Sequence, residues 1–157
     1  MEYPRYKRIL FCTDFSENSD YAFEFAFGIA KRDEGLLYIL HVIPGNPQEA
    51  FVESLMPEDI VEEMHRAIEE DVDNKFKEHY VEKIGNGVKF EIVTRTGKEH
   101  DEIIKFANKE KVDLIVIGTH GSTGIEHVFF GSVAEKVIRY SPFPVFIIPS
   151  RKRLEAS

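Results

Sequence analysis

Four glycines fall within fourteen residues in the segment Gly118-Thr119-His120-Gly121-Ser122-Thr123-Gly124…Gly131-Ser132. Two stand close behind an apolar strand-like run, and one immediately precedes a helical pattern. Glycine lets the backbone take positive φ and approach a ligand with no Cβ in the way. A helix beginning at Ser132 presents unpaired N–H groups at its positive end, which suits a phosphate. The Ser132 hydroxyl offers a further hydrogen bond to a phosphate oxygen or a ligand to a metal. On the residues alone the reading stays open, because Gly118 and Gly121 also shape turns and Ser132 also caps helices. No lysine precedes Ser132, so this is not a Walker A loop, and Gly118-x-x-Gly121 lacks the G-x-G-x-x-G spacing. A second turn, Thr13-Asp14-Phe15-Ser16, closes the first apolar run. Asp14 reads either as a ribose or metal-water contact or as a turn acid ahead of a helix. His120, between Gly118 and Gly121, is a conceivable base or phosphate contact, but no carboxylate is placed in sequence to orient it. His41, His65, His79 and His100 have no metal-ligand spacing. The single cysteine, Cys12, excludes an intrachain disulfide and a Cys-based zinc site. It reads as a small buried residue ending a strand.

The elements that must position these groups alternate. Strand-like runs are expected at Arg8–Thr13, Leu36–Ile43, Val88–Thr94, Leu114–Ile117 and Val145–Ile148. The continuous apolar character of Leu36–Ile43 is that of a strand covered on both faces. Helices are expected after Ser16 as N-cap, over Glu58–Ile84, Glu99–Glu110 and Ser132–Tyr140. The first carries Phe23, Phe25, Phe27 and Ile29 on nearly every side, which predicts deep burial. Pro44–Pro57, with Gly45 and Pro47, is expected to be irregular. In the long helix, Ile60, Met64, Ile68, Val72 and Phe76 recur at a strict spacing of four. That outruns the 3.6-residue turn by about 40° per step, so a bend or a protruding end is predicted. The β-α alternation implies a parallel, doubly wound α/β sheet. Ligands bind such sheets beyond the carboxyl ends of the strands where the strand order reverses, commonly between strands one and four. The Asp14 turn and the glycine loop would meet there.

Gly118-x2-Gly121-x9-Gly131-Ser132 matches the nucleotide-binding motif of the universal stress protein (UspA-like) family. Ile9-Leu10-Phe11-Cys12-Thr13-Asp14-Phe15-Ser16 resembles that family's first strand and turn. Leu40-His41-Val42-Ile43 is similar to its second strand, and Ser141-Pro142-Phe143-Pro144-Val145 to its approach to strand five. The likeness spans nearly the whole chain and implies a five-stranded sheet of order 3-2-1-4-5. It also implies ATP in the crevice between strands one and four, with Asp14 and Gly118 toward the ribose and Val42 lining the adenine pocket. Gly121, Gly131 and Ser132 would cradle the phosphates, with Ser122 and Val133 nearby; Thr13 and His120 belong to the same set. Dimers are implied in which strand-five edges meet, here Val145–Ile148, covering an apolar edge that would otherwise invite uncontrolled pairing. Two positions depart from the family pattern: Cys12 where many members have proline, and Ser122 where many have a basic residue. Without that charge a triphosphate needs the helix dipole and Mg²⁺, and AMP or ADP should bind comparably well.

Composition bounds the rest. The chain of 157 residues is expected to form a single domain with a tail at 149–157. Hydrophobic residues make up 43% and charged residues 31%, a globular balance. A net charge of −8 repels phosphate backbones, so no nucleic-acid partner is expected. No apolar run reaches the length of a bilayer span, and Met1–Arg8 is polar, so the expectation is a cytoplasmic protein without membrane contact. The expected function is an adenine-nucleotide-binding regulatory dimer whose nucleotide orders the glycine loop and so alters a surface offered to an unknown protein partner. The alternatives are a slow, Mg²⁺-dependent ATP hydrolase, with at most weak turnover, and a nucleotide-free interaction module of the same fold. A phosphoacceptor receiver is excluded, because Thr94-Arg95-Thr96 stands where strand three would have to end in a carboxylate.

Overall fold

Strands with apolar side chains on both faces can only lie inside a sheet covered by helices on both sides. In the computed structural model, which describes residues 1–119 and 131–155, five strands form one sheet; the inner three are of this kind, and the two outer ones are partly exposed. The five are β1 (Arg8–Thr13), β2 (Leu36–Pro44), β3 (Lys89–Gly97), β4 (Leu114–Gly118) and β5 (Val145–Ile148). Their order is β3-β2-β1-β4-β5, and all pairs are parallel, with Cys12 opposite Leu40 on one side and Ile117 on the other. The doubly wound α/β fold and the order 3-2-1-4-5 expected from the sequence are both present. Alternation along β1 sends Ile9 and Phe11 to one face and Leu10 and Cys12 to the other. The first face packs against α1 (Glu17–Asp33) and the far end of the long helix through Ala22, Phe23, Ala26, Val72, Phe76 and Tyr80. The second packs against α5 (Glu99–Glu110) and α6 (Ser132–Tyr140) through Ile103, Phe106, Ala134 and Val137.

Two segments depart from expectation. α1 is N-capped by Ser16, whose hydroxyl accepts from the Ser19 N–H at 3.2 Å, but it is not buried all round. Only the stripe Ala22, Phe23, Ala26 and Ala30 faces the sheet; Phe27 and Ile29 are half-buried and Phe25 is 42% exposed. A helix on one face of a sheet has a single inward stripe, and alanines there let it approach closely. The segment Pro44–Pro57 is not irregular throughout. It holds α2 (Pro47–Ser54), started by the Asn46 side chain accepting from the Gln48 N–H at 2.9 Å with Pro47 in the first turn.

The long helix is three pieces: α3 (Glu58–Phe76), a π turn (Lys77–Val81) and α4 (Glu82–Ile84). Its stripe of four-spaced apolar residues explains this. Ile60, Met64 and Ile68 are each about two-fifths exposed, whereas Val72 and Phe76 are buried. The amino-terminal part therefore winds away from the sheet and projects, as the spacing predicts. At the other end the π turn, in which the Glu82 N–H reaches the Lys77 carbonyl five residues back, takes more residues per turn than an α-helix. It cancels part of the drift, so Tyr80 and Ile84 stay on the core face with Val72 and Phe76. Residues 149–157 include the short helix α7 (Arg151–Glu155). Among the described residues no helix is long and apolar enough to cross a membrane.

Candidate functional site

β1 has β2 on one side and β4 on the other, so the strand order reverses between β1 and β4. Beyond their carboxyl ends lie the turn Thr13–Ser16, the start of α1 and the start of α6. The end of β4 abuts α1 closely. A Cβ built on Gly118 would stand 3.3 Å from the Asn18 carbonyl oxygen, so glycine lets strand and helix approach more closely than a side chain would. The start of α6 is tied back to the sheet, because the Gly131 N–H donates to the Thr119 carbonyl and the Thr119 N–H donates to the Ile148 carbonyl.

Asp14 is half-buried in the turn, and its Oδ1 accepts from the Ser16 N–H at 3.0 Å and from the Ser19 hydroxyl at 2.7 Å. Ser19 Oγ in turn accepts from the Asp14 N–H at 3.3 Å. The acid thus has a fixed direction. Phe15 follows with φ 62°, a left-handed conformation that costs a residue with a Cβ about 1–2 kcal/mol. Its ring is held in compensation, 4.6 Å from His41, 5.1 Å from Phe76 and 5.6 Å from His79 between centroids. Thr13 is buried, and its hydroxyl accepts from the Phe15 N–H at 2.9 Å while sharing a hydrogen bond with the Tyr80 hydroxyl.

Three residues of this arrangement were not among the sequence-derived set. His41 donates from Nδ1 to the Thr13 carbonyl at 2.8 Å; because a carbonyl only accepts, that nitrogen carries the proton. Burial lowers the His41 pKa from its usual 6.5, against smaller opposing effects of the Thr13 carbonyl and Asp14. Tyr80 is fully buried, which pushes its phenol far above the usual range and keeps the hydroxyl protonated. His79, next to it in the π turn, donates to Asp20 in the first turn of α1 at 2.9 Å. Tyr80 was legible as the next four-spaced position after Phe76. Its partner, sixty-seven residues away, was not.

The other expected residues divide. Ser132 is exposed at the first position of α6, with Gly131 as N-cap in an extended conformation and no side chain there to accept from the first-turn N–H groups. Val133 and Val42 turn their side chains into the second core cluster, which leaves chiefly their backbones for a ligand. His120, Gly121 and Ser122 lie outside the described residues. A groove of 380 Å³ lined by Ile43, Glu69, Val72, Asp73, Thr94, Arg95 and Thr96 lies between α3 and the end of β3, one strand over from the β1–β4 crevice. Cys12 is buried, as expected, and burial pushes its thiol well above the usual range, which makes it inert. Among the described residues no three His, Cys, Asp or Glu side chains gather as a metal site.

The model of the Usp: Universal stress protein family matches residues 5–149. Universal stress protein MJ0531 of Methanocaldococcus jannaschii is 36% identical over 150 residues, covering 94% of this chain and 85% of its own. Universal stress protein MJ0577 of the same organism is 34% identical over 155 residues, covering 91% and 94%. The solved structure of MJ0577 superposes with a TM-score of 0.78 over 94% of this chain and 99% of that one. A universal stress protein from Archaeoglobus fulgidus in complex with dAMP shares the fold, with a TM-score of 0.55 at 24% identity, over 92% of this chain and 99% of that one. Sequence, strand order and the matched length agree: this chain belongs to the universal stress protein family.

Proposed function

We propose that the chain binds an adenine nucleotide, ATP or its mono- and diphosphate, in the β1–β4 crevice and acts as a regulatory dimer. The observation that carries this reading is the convergence of Asp14, oriented by the Ser16 N–H and the Ser19 hydroxyl, and the amino-terminal end of α6 on one switch point. The two ends have complementary chemistry. A carboxylate accepts from ribose hydroxyls, and the first-turn N–H groups of α6 with Ser132 Oγ donate to phosphate oxygens. Gly118, which lets β4 lie against α1, draws the acid-bearing turn and the end of β4 toward the same crevice. Gly121, Ser122 and His120 complete the phosphate side, and Thr13, Val42 and Val133 frame the pocket. Mg²⁺ enters with ATP, held through the phosphates. The family relative from Archaeoglobus fulgidus with dAMP supports a nucleotide as ligand class. The dimer forms along β5, an outer strand whose Phe146 is 41% exposed, and a protein partner reads the glycine-loop surface.

The test is to heat-denature the purified protein, identify any released nucleotide, and titrate ATP calorimetrically with and without Mg²⁺. Micromolar binding, about −8 kcal/mol, that is lost in Gly131→Val is the expected result. No copurified nucleotide and no titratable heat would reduce the glycine motif to a structural turn.

A further inference from the structure

The π turn of the long helix, together with Phe76 just before it, sends side chains from outside the sheet into the Asp14 turn. We infer that Tyr80 is a positioning residue for nucleotide recognition, aiming Asp14 at the ribose through Thr13. The inference rests on the reading above and adds to it a residue far from the glycine motif. Its basis is a chain of contacts. The Tyr80 hydroxyl, the polar end of a fully buried ring, bonds Thr13 Oγ1. The same oxygen accepts from the Phe15 N–H at 2.9 Å, which closes the turn around Asp14. Phe15 is held at φ 62°, a conformation that persists only where the surroundings over-determine it. Here the surroundings are largely α3 and its π turn: Phe76, His79 and Tyr80 all pack on the Phe15 ring, and His79 pins Asp20 of α1.

A π turn is what makes this latch possible. The stripe Val72, Phe76, Tyr80 and Ile84 advances by four, and in a plain α-helix the fourth member would have rotated well off the core face. Widening the helix at Lys77–Val81 returns Tyr80 to the sheet and leaves adjacent His79 facing α1. Single π turns concentrate at functional sites. Nothing in the packing of the sheet alone requires a hydroxyl at this position, since Phe11 and Phe23 surround the same ring at 5.4 and 4.7 Å between centroids. A phenylalanine would fill the space.

The experiment compares ATP with 2′-deoxy-ATP and 3′-deoxy-ATP by calorimetric titration of the full chain, as wild type, Tyr80→Phe, Thr13→Val and the double variant. Wild type should prefer ATP over at least one deoxy analogue, because Asp14 accepts from a ribose hydroxyl. Tyr80→Phe should lose roughly ten-fold of that preference while binding of the deoxy analogue changes little. Thr13→Val should lose it likewise, and the double variant no more than either alone. A purely structural role would weaken ATP and both deoxy analogues by the same factor and leave the preference intact, which overturns the inference. Wild type with equal affinity for all three also overturns it, while leaving nucleotide binding standing. No binding of any of the three by wild type fails the functional reading itself. If Tyr80→Phe does not fold, Thr13→Val alone decides between these outcomes.

Discussion

Asp33→Asn removes one negative charge at the end of the molecule opposite the candidate site. Asp33 is the last residue of α1, where a carboxylate faces the negative end of the helix and needs compensation. It accepts from Arg32 Nε at 2.7 Å, from Arg32 Nη2 at 2.9 Å and from the Tyr6 N–H at 2.9 Å. The Arg32 hydrogen bonds, followed by that from Tyr6, hold its pKa down from 3.8 to about 2. At about 1.4 kcal/mol per pKa unit, the whole shift corresponds to about 2.5 kcal/mol. Arg32 is 63% exposed and its charge is screened by solvent, which brings the contribution to about 1–2 kcal/mol. The native carboxyl is more acidic than the unfolded one, so this stabilisation is complete above the unfolded value and disappears as pH falls from near 4 toward 2. The Asn variant should therefore unfold about 2–6 °C lower near neutral pH, and the two proteins should converge in acid. Urea denaturation followed by circular dichroism across that range measures both. A deficit that persists unchanged in acid would refute the charge argument and assign the loss to packing or to the Tyr6 amide. Nucleotide affinity should not move, since Asp33 sits at the amino-terminal ends of the strands.

Two glycines should differ in how much an alanine costs. At Gly35 a Cβ would stand 2.6 Å from the Tyr6 carbonyl and 2.7 Å from Ile9 Cδ1; a backbone carbonyl cannot yield, so Gly35→Ala should cost more than about 3 kcal/mol or prevent folding. At Gly118 the nearest atom, the Asn18 carbonyl oxygen, is 3.3 Å away, so Gly118→Ala should cost only about 1 kcal/mol while shifting α1 and weakening ATP binding. Thermal melts and titrations separate the two. His41 titrates at lower pH in the native state than when unfolded, so stability should decline as pH falls through its unfolded value of 6.5. His41→Asn should flatten that part of the profile, and an unchanged slope would exclude His41 as its source.

Much of the architecture was legible because it is written in short-range pattern. β1, α5, α6 and β5 coincide with their expected spans, since apolar runs and caps act over a few residues. α2 was missed because Asn46 and Pro47 signal a helix start as readily as a loop, and Phe51 and Val52 remain exposed, giving no buried stripe to detect. The burial of α1 was overestimated because aromatic residues on every side say nothing about which side meets the sheet. At the site, Asp14, Gly118, Gly131 and Ser132 could be singled out from turn chemistry and spacing. His41 and Tyr80 could not, as their partners lie twenty-eight and sixty-seven residues away.

The sequence by itself determined the number and type of strands, the parallel α/β class, the glycine-bearing loop and the acid-bearing turn. These follow from periodicity, glycine stereochemistry and capping, all of which operate within one turn or strand. Only the tertiary structure decided that the four-spaced stripe resolves into a projecting arm and a π turn, because helix drift becomes a contact or an overhang only when the sheet is present to meet it. It also decided that a left-handed Phe15, a buried threonine and a distant tyrosine hydroxyl together aim Asp14. That cooperation depends on strained backbone and buried polar groups being paid for by long-range packing, which no local pattern records.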